Sequence, residues 1–243
     1  MPKAPPSTTQ TLLKSTKTKT TAEAAVSASK RRTKDPKDSH LYTDDNPETT
    51  LHGTGFKDTD AAKRTIDLVS KRSLTYQFQT INTMYHRAKG HPHPTPGIKG
   101  AMAVFNEWLK VTYPNAKKAL RAGGFKPILS KDIVSAYASR CRTALPSSHL
   151  AFLNMYIDLP KNKRLANVLL DPKEPGERDW EVERYQKLCE LVAEGKEESK
   201  GWEAVELWDE GKQPTEAHLR LIAWGWSPVP GRTLAGRAKA LGL

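Results

Sequence analysis

The sequence predicts an all-α fold, a compact multi-helix domain of about eight helices behind a disordered basic N-terminal tail. Beyond residue 50, apolar side chains recur at spacings of three and four residues, which places them on one face of a helix. No convincing pair of segments alternates apolar and polar residues as paired strands do, although a short strand near 126–129 is left open. Residues 1–50 are rich in Thr, Ser, Lys and Pro and hold almost no large apolar side chain. Such a segment cannot bury enough surface to offset its conformational entropy.

The first two helices are predicted from a capping residue and an apolar stripe. Asp58 can accept hydrogen bonds from the free N–H groups at a helix start, so the first helix runs from there to about Arg72. The His-Pro-His-Pro segment 91–94 ends the second helix, because proline removes a backbone donor and fixes the backbone. The stripe of the second helix consists of Leu74, Phe78, Ile81, Tyr85 and Ala88.

A third helix is predicted to begin at Thr95, with Pro96 at its first position, and to end before Pro114. Its apolar face carries Ile98, Met102, Phe105 and Leu109. Further helical segments are predicted over residues 116–121, 130–144, 148–157, 163–170, 179–194, 202–208, 215–224 and 232–241.

Charge divides the chain into three predicted parts: a tail (1–50), a basic helical domain (51–170) and an acidic, Trp-rich helical subdomain (171–243). The net charge of +12 is uneven, because residues 51–142 hold 16 Lys/Arg against 5 acids, whereas residues 171–210 hold 6 against 14. Two prolines and a glycine in residues 171–178 mark the internal boundary. Blocks of opposite sign indicate an anionic partner for the basic part and a separate acidic surface.

The leading hypothesis is therefore a non-enzymatic nucleic-acid-binding protein that contacts phosphates through basic helices, without strong sequence specificity. No zinc-finger, basic-zipper or RNP pattern is present. The helices at 131–144 and 148–157 could form a helix-turn-helix, but two short helices joined in this way more often simply pack together. The sequence does not separate DNA from RNA. The expected phosphate contacts are Lys63, Arg64, Lys71, Arg72, Arg87, Lys89, Lys117, Lys118 and Arg121.

The tail carries two basic clusters separated by ten residues, a spacing typical of a two-part nuclear import signal. The alternative is a generic basic tail that attracts polyanions. We expect a nuclear protein on this basis. The residues concerned are Lys17, Lys19, Lys30, Arg31, Arg32 and Lys34.

Two other functions remain open. A protein-interaction scaffold could dock a partner through Trp202, Trp208, Trp224 and Trp226, since exposed tryptophans are common binding anchors. Trp at helical spacing is more often buried. The third hypothesis is an enzyme with an unrecognised site, but no spacing of Cys, Ser, His or acids marks one, so neither a catalytic residue nor a cofactor is predicted.

Metal binding and membrane association are not expected. His86, His91 and His93 surround a Pro-rich turn and are the candidate ligands, but no Cys lies near them and a carboxylate would have to come from elsewhere. Cys141 and Cys189 form no CxxC motif, which indicates reduced thiols in an intracellular protein. No run approaches the ~20 apolar residues of a membrane span, and the N-terminus has no secretory signal.

Overall fold

The computed structural model describes residues 51–122, 124 and 128–243, and these residues form α-helices joined by turns. Within those ranges there is no strand, and β pairing is limited to two isolated bridges. The predicted all-α class is confirmed, whereas the predicted tail (1–50), its import residues and positions 126 and 127 lie outside the described residues. The α-helices are α1 (Thr59–Val69), α2 (Leu74–Lys89), α3 (Pro96–Glu107), α4 (Tyr113–Ala122), α5 (Lys131–Ala144), α6 (Ala151–Asp158), α7 (Trp180–Leu191), α8 (Ala204–Leu207), α9 (Glu216–Ala223) and α10 (Gly231–Ala240).

Capping hydrogen bonds confirm the predicted starts of α1 and α3. The Asp58 carboxylate accepts from the backbone N–H of Ala61 at 2.8 Å, and α1 begins at the next residue. The Thr95 hydroxyl accepts from the N–H of Ile98 at 3.2 Å and is followed by proline at the first helical position. Each cap satisfies a donor that has no partner within its own helix.

The prediction that the third helix ends before Pro114 is wrong. A π-helical turn, Trp108–Thr112, joins α3 directly to α4, and the N–H of Tyr113 donates to the carbonyl of Trp108. In a regular helix the proline ring would clash with the carbonyl four residues earlier and leave it without a donor. The wider π turn inserts one extra residue just before the proline, so the chain continues as a helix.

Two other predicted helices are shorter because one end of each pairs with backbone outside the helix. Only Leu165–Asn167 is helical within 163–170, since the N–H of Trp180 donates to the carbonyl of Val168. Within 202–208 the helix is confined to the four residues of α8, and Trp208 forms a bridge with Pro214. Antiparallel backbone pairing overrides the helical spacing of the side chains at both places.

The described residues belong to one compact unit with two hydrophobic clusters. The first cluster ends at Tyr113 in the chain and the second begins at Ile128. The predicted division at residue 171 stays a prediction, although the second cluster draws from both sides of it. The first is centred on Val69, Ile81, Ala101, Phe105 and Trp108, and the second on Tyr137, Phe152, Leu188, Leu221, Ile222 and Leu234.

Candidate nucleic-acid interface

Helix α4 concentrates positive charge on one face. Between Glu107 and Asp132 the sequence has six Lys/Arg and no acid. At 3.6 residues per turn, Lys117, Lys118 and Arg121 fall within an arc of about 100°. No residue of α4 is buried, and no ion pair to these three side chains occurs among the described residues. The cations therefore remain available to an external anion.

The opposite side of α4 holds the helix to the domain. Ala116, Ala119 and Leu120 line a cleft of about 530 Å³ that α4 shares with α2 and α7. Tyr113 stacks on Phe78 of α2, with the ring centroids 4.5 Å apart. Because the apolar side chains face this cleft, helical geometry turns the three cations away from it.

An aromatic ring also restrains Lys117. Its ammonium lies 5.4 Å from the centroid of the Tyr113 ring, within the range of a cation–π contact. Lys118 and Arg121 are exposed, whereas Lys117 is half-buried. The face thus combines one positioned ammonium with two solvated cations.

The cations predicted on α1 and α2 lie in a different electrostatic setting. Lys63 and Arg64 are exposed on α1, but Asp60 and Asp67 are one helical turn away from them. Lys71 forms an ion pair with Glu177. These acids compensate part of the positive charge of α1 and of the turn that follows it.

Arg87 and Lys89 are exposed in the last turn of α2. Cations at this position also stabilise the negative end of the helix dipole. The structure thus brings three predicted site residues together on α4 and distributes the other exposed ones over α1, α2 and the turn between them.

The structure removes Arg72 from the predicted phosphate contacts, because its side chain is only 2% exposed. Its Nε donates to an oxygen of Asp179 at 3.3 Å, and its two terminal nitrogens donate to the carbonyls of Pro175 and Ala166 at 2.8 and 2.9 Å. The guanidinium also lies over the Tyr76 ring, 3.7 Å from the centroid. Arg72 joins α2 to the segment before α7 and cannot reach a ligand.

Asp179 completes this joint from the other side. Its carboxylate is fully buried and accepts from the N–H of Ser73, just before α2, at 2.8 Å. The same carboxylate accepts from the N–H groups of Glu181 and Val182 at 3.1 Å and caps α7. One acid therefore serves two helix N-termini, each of which carries partial positive charge.

The histidines near the Pro-rich turn do not assemble a metal site. His86 and His93 are exposed, and Nδ1 of the half-buried His91 accepts from the backbone N–H of His93 at 3.2 Å. Across the described part of the chain, no group of three or more His, Cys, Asp or Glu side chains is arranged to hold a metal ion.

A Ser–His pair that the sequence reasoning missed lies in the C-terminal half. Nε2 of His218 is 2.8 Å from the Ser227 hydroxyl, and Nδ1 is 3.0 Å from the carbonyl of Leu207. Burial lowers the pKa of His218 to about 4. Because its pKa lies so far below 7, His218 is a weak general base at neutral pH. The two hydrogen bonds instead connect α8, α9 and the turn that follows α9.

The two thiols differ in burial, and most of the C-terminal tryptophans are buried. Cys141 is buried with its pKa raised to about 12 by desolvation, while Cys189 is exposed. Trp208, Trp224 and Trp226 are buried and Trp202 is half-buried. The aromatic anchors that the scaffold hypothesis required therefore lie largely inside the second hydrophobic cluster.

A second group of cations was also missed. Lys131, Lys161, Lys163 and Arg164 line one cavity beside α5 and α6. The available sequence signal was the run Pro-Lys-Asn-Lys-Arg at 160–164. The position of this run after a predicted helix gave no indication that Lys131 would line the same cavity.

Comparison with known proteins gives no relative: no protein-family model matches the chain, and no curated protein or solved structure matches it significantly. Among the described residues, no helix combines the length and apolar character that crossing a membrane requires.

Proposed function

We propose that the protein binds nucleic acid through the phosphate backbone, with the outer face of α4 as the principal contact. The observation that carries the proposal is the group of Lys117, Lys118 and Arg121, which share one helix face and have no acidic partner among the described residues. The exposed cations of α1 and α2 are secondary contacts.

Electrostatics favours this partner. Phosphates along a nucleic acid carry condensed counterions, and each Lys or Arg that neutralises a phosphate releases them. This release drives association without reading the base sequence. The described face offers cations and few groups suited to base edges, so binding is expected to depend on charge.

The test is a salt titration of binding to duplex DNA, single-stranded DNA and RNA of equal length. The logarithm of the binding constant should fall linearly with the logarithm of the salt concentration. Charge reversal of Lys117 and Lys118 to Glu should reduce the slope by about two, since each phosphate contact contributes about one unit. The loss should be similar for oligonucleotides of different sequence.

The matched control reverses Arg232 and Lys239 on α10, which are also exposed and change the net charge equally. If both double variants weaken binding to the same extent, the attraction comes from net charge and α4 is not the contact face. Binding that is absent at low salt, or insensitive to salt, contradicts the proposal as a whole.

We also propose that the protein is nuclear, because the basic clusters of residues 1–50 have the spacing of an import signal. A fluorescent protein fused to residues 1–50 should accumulate in the nucleus. Replacement of Arg31 and Arg32 by Ala should abolish that accumulation, and an unchanged distribution would contradict the proposal.

A further inference from the structure

A cationic cavity lies on a part of the molecule separate in sequence from α4. It has a volume of about 370 Å³ and opens between the start of α5, the end of α6 and the turn that follows α6. Its lining includes Lys131, Lys161, Lys163 and Arg164. Four positive side chains around one small concave space create a positive potential that favours the binding of an anion there.

The protein itself supplies little compensation. Among the described residues, none of the four cations has an ion pair. Glu181 is the single acid in the lining, and its carboxylate accepts a hydrogen bond from the Thr75 hydroxyl at 2.6 Å. The formal charge of the lining is thus strongly positive.

The rest of the lining is apolar, and a hydrogen bond restrains its one aromatic ring. Ile128, Tyr156, Leu159 and Leu165 form this wall. The Tyr156 hydroxyl donates to the carbonyl of Leu129 at 2.9 Å, which holds the ring, and the ammonium of Lys131 lies 5.8 Å from the ring centroid. An apolar surface beside a charged one fits a ligand with two chemically different ends.

The turn that carries three of the cations is restrained by its own backbone hydrogen bonds and by Arg72. The N–H of Lys163 donates to the carbonyl of Pro160 at 3.0 Å, and the N–H of Asn167 donates to that of Arg164 at 2.9 Å. The carbonyl of Ala166 accepts from the buried guanidinium of Arg72. A turn restrained in this way loses less conformational entropy when a ligand binds.

We infer that this cavity binds a small organic phosphate. The phosphate lies among Lys131, Lys161, Lys163 and Arg164, which supply charge-assisted hydrogen bonds, and the apolar body lies against Tyr156 and the neighbouring aliphatic side chains. The volume falls within the ~300–1,000 Å³ of small-molecule sites. This inference does not depend on the proposed nucleic-acid contact at α4.

The probe is 1-naphthyl phosphate, titrated into ¹⁵N-labelled full-length protein and followed through backbone amide shifts. The amides of residues 129–133 and 156–166 should shift in a saturable manner. Orthophosphate should bind the same amides more weakly, because it lacks the apolar body. The variant Lys161→Ala/Lys163→Ala should raise the Kd for 1-naphthyl phosphate at least tenfold.

Two controls isolate the cavity. Lys173→Ala/Lys239→Ala removes two exposed lysines elsewhere and should change the Kd less than twofold. Lys117→Glu/Lys118→Glu should also leave the Kd unchanged, so a failure of the nucleic-acid proposal would not affect this one. The spectrum of each variant reports directly whether it is folded.

Three results would overturn the inference. The first is a Kd that the cavity variant leaves within twofold of the original protein. The second is a set of shifts spread over the basic surface, which would indicate an adventitious anion only. The third is competition by an oligonucleotide whose own binding is lost in Lys161→Ala/Lys163→Ala, which would make the cavity a subsite for the nucleic-acid backbone.

Discussion

Replacement of Arg72 by Ala should destabilise the fold far more than any other change among the predicted phosphate-binding cations. The substitution removes the cation facing the buried Asp179 carboxylate and the donors to the carbonyls of Pro175 and Ala166. It also removes the guanidinium from the Tyr76 ring. The carboxylate keeps its backbone N–H donors but loses its counter-charge.

The size of the effect follows from this burial. The two side chains are 2% and 0% exposed, so water cannot replace the lost partner. Removal of one member of a buried ion pair costs about 3–5 kcal/mol. That is a large share of the roughly 5–15 kcal/mol that stabilises a typical domain. Arg72→Lys should be intermediate, because a single ammonium nitrogen cannot reach all three acceptors that the three guanidinium nitrogens contact separately. Each buried acceptor left without a donor costs about 1–3 kcal/mol.

The assay is urea unfolding at neutral pH followed by tryptophan fluorescence, with the free energy of unfolding extrapolated to zero urea. The matched control is Lys71→Ala at the adjacent position. Lys71 and its partner Glu177 are 62% and 45% exposed, and such an exposed pair contributes about 1 kcal/mol or less.

The double variant Arg72→Met/Asp179→Asn provides a stricter check. It removes both charges together, so it should be less destabilising than the sum of the two single changes, since neither charge is left unpaired. If Arg72→Ala unfolds within 1 kcal/mol of the original protein, or no more easily than Lys71→Ala, the reasoning that Arg72 is a structural residue is refuted.

Three further predictions concern buried or strained positions. Because the pKa of His218 falls from 6.5 to about 4 on folding, the unfolded chain takes up the proton first as the pH drops. The free energy of unfolding should therefore be highest above pH 6.5 and fall by about 3 kcal/mol between pH 6.5 and pH 4 because of this residue. In urea unfolding, the His218→Gln variant should not show this pH-dependent loss. With a thiol reagent under native conditions, Cys189 should react and Cys141 should not, and modification of both before unfolding would contradict the burial of Cys141. Gly225→Ala places a methyl group at a residue with φ +68° and 3.1 Å from the Phe152 ring, so it should lower the free energy of unfolding by about 1–3 kcal/mol. Gly236→Ala in α10 has open space around the new methyl group and should be neutral or stabilising. Equal melting temperatures for the two variants would refute the argument.

Much of the local structure was predictable because its causes are local. Caps such as Asp58 and Thr95 act on N–H groups three residues away, and the sequence contains both partners. The apolar stripes of α2 and α3 likewise follow from helical spacing, and Ile81 and Phe105 are fully buried as that spacing required. The effect of Pro114 was predicted wrongly, because the π turn that lets the helix continue through it has no recognisable pattern of residue types.

The candidate site was only partly predictable. Lys117, Lys118 and Arg121 were identified because a helix determines which near neighbours share a face. The cavity cations were not, since Lys131 lies thirty residues from Lys161 and meets it only through the packing of α5 and α6. Nor could spacing alone identify the Ser227–His218 pair.

By itself, the sequence determined the helical class, the positions of most helix starts and the uneven distribution of charge. These depend on capping, periodicity and composition, which act within a few residues or require no geometry at all. Only the tertiary structure decided which Lys and Arg side chains are exposed and able to bind an external anion. Lys71 and Arg72 are adjacent in the chain, yet Lys71 is exposed and Arg72 is buried. Arg72 is buried because folding places it against Asp179, which lies 107 residues further along the chain. The fate of a charged side chain depends on its distance to counter-charges and to water, and folding sets both.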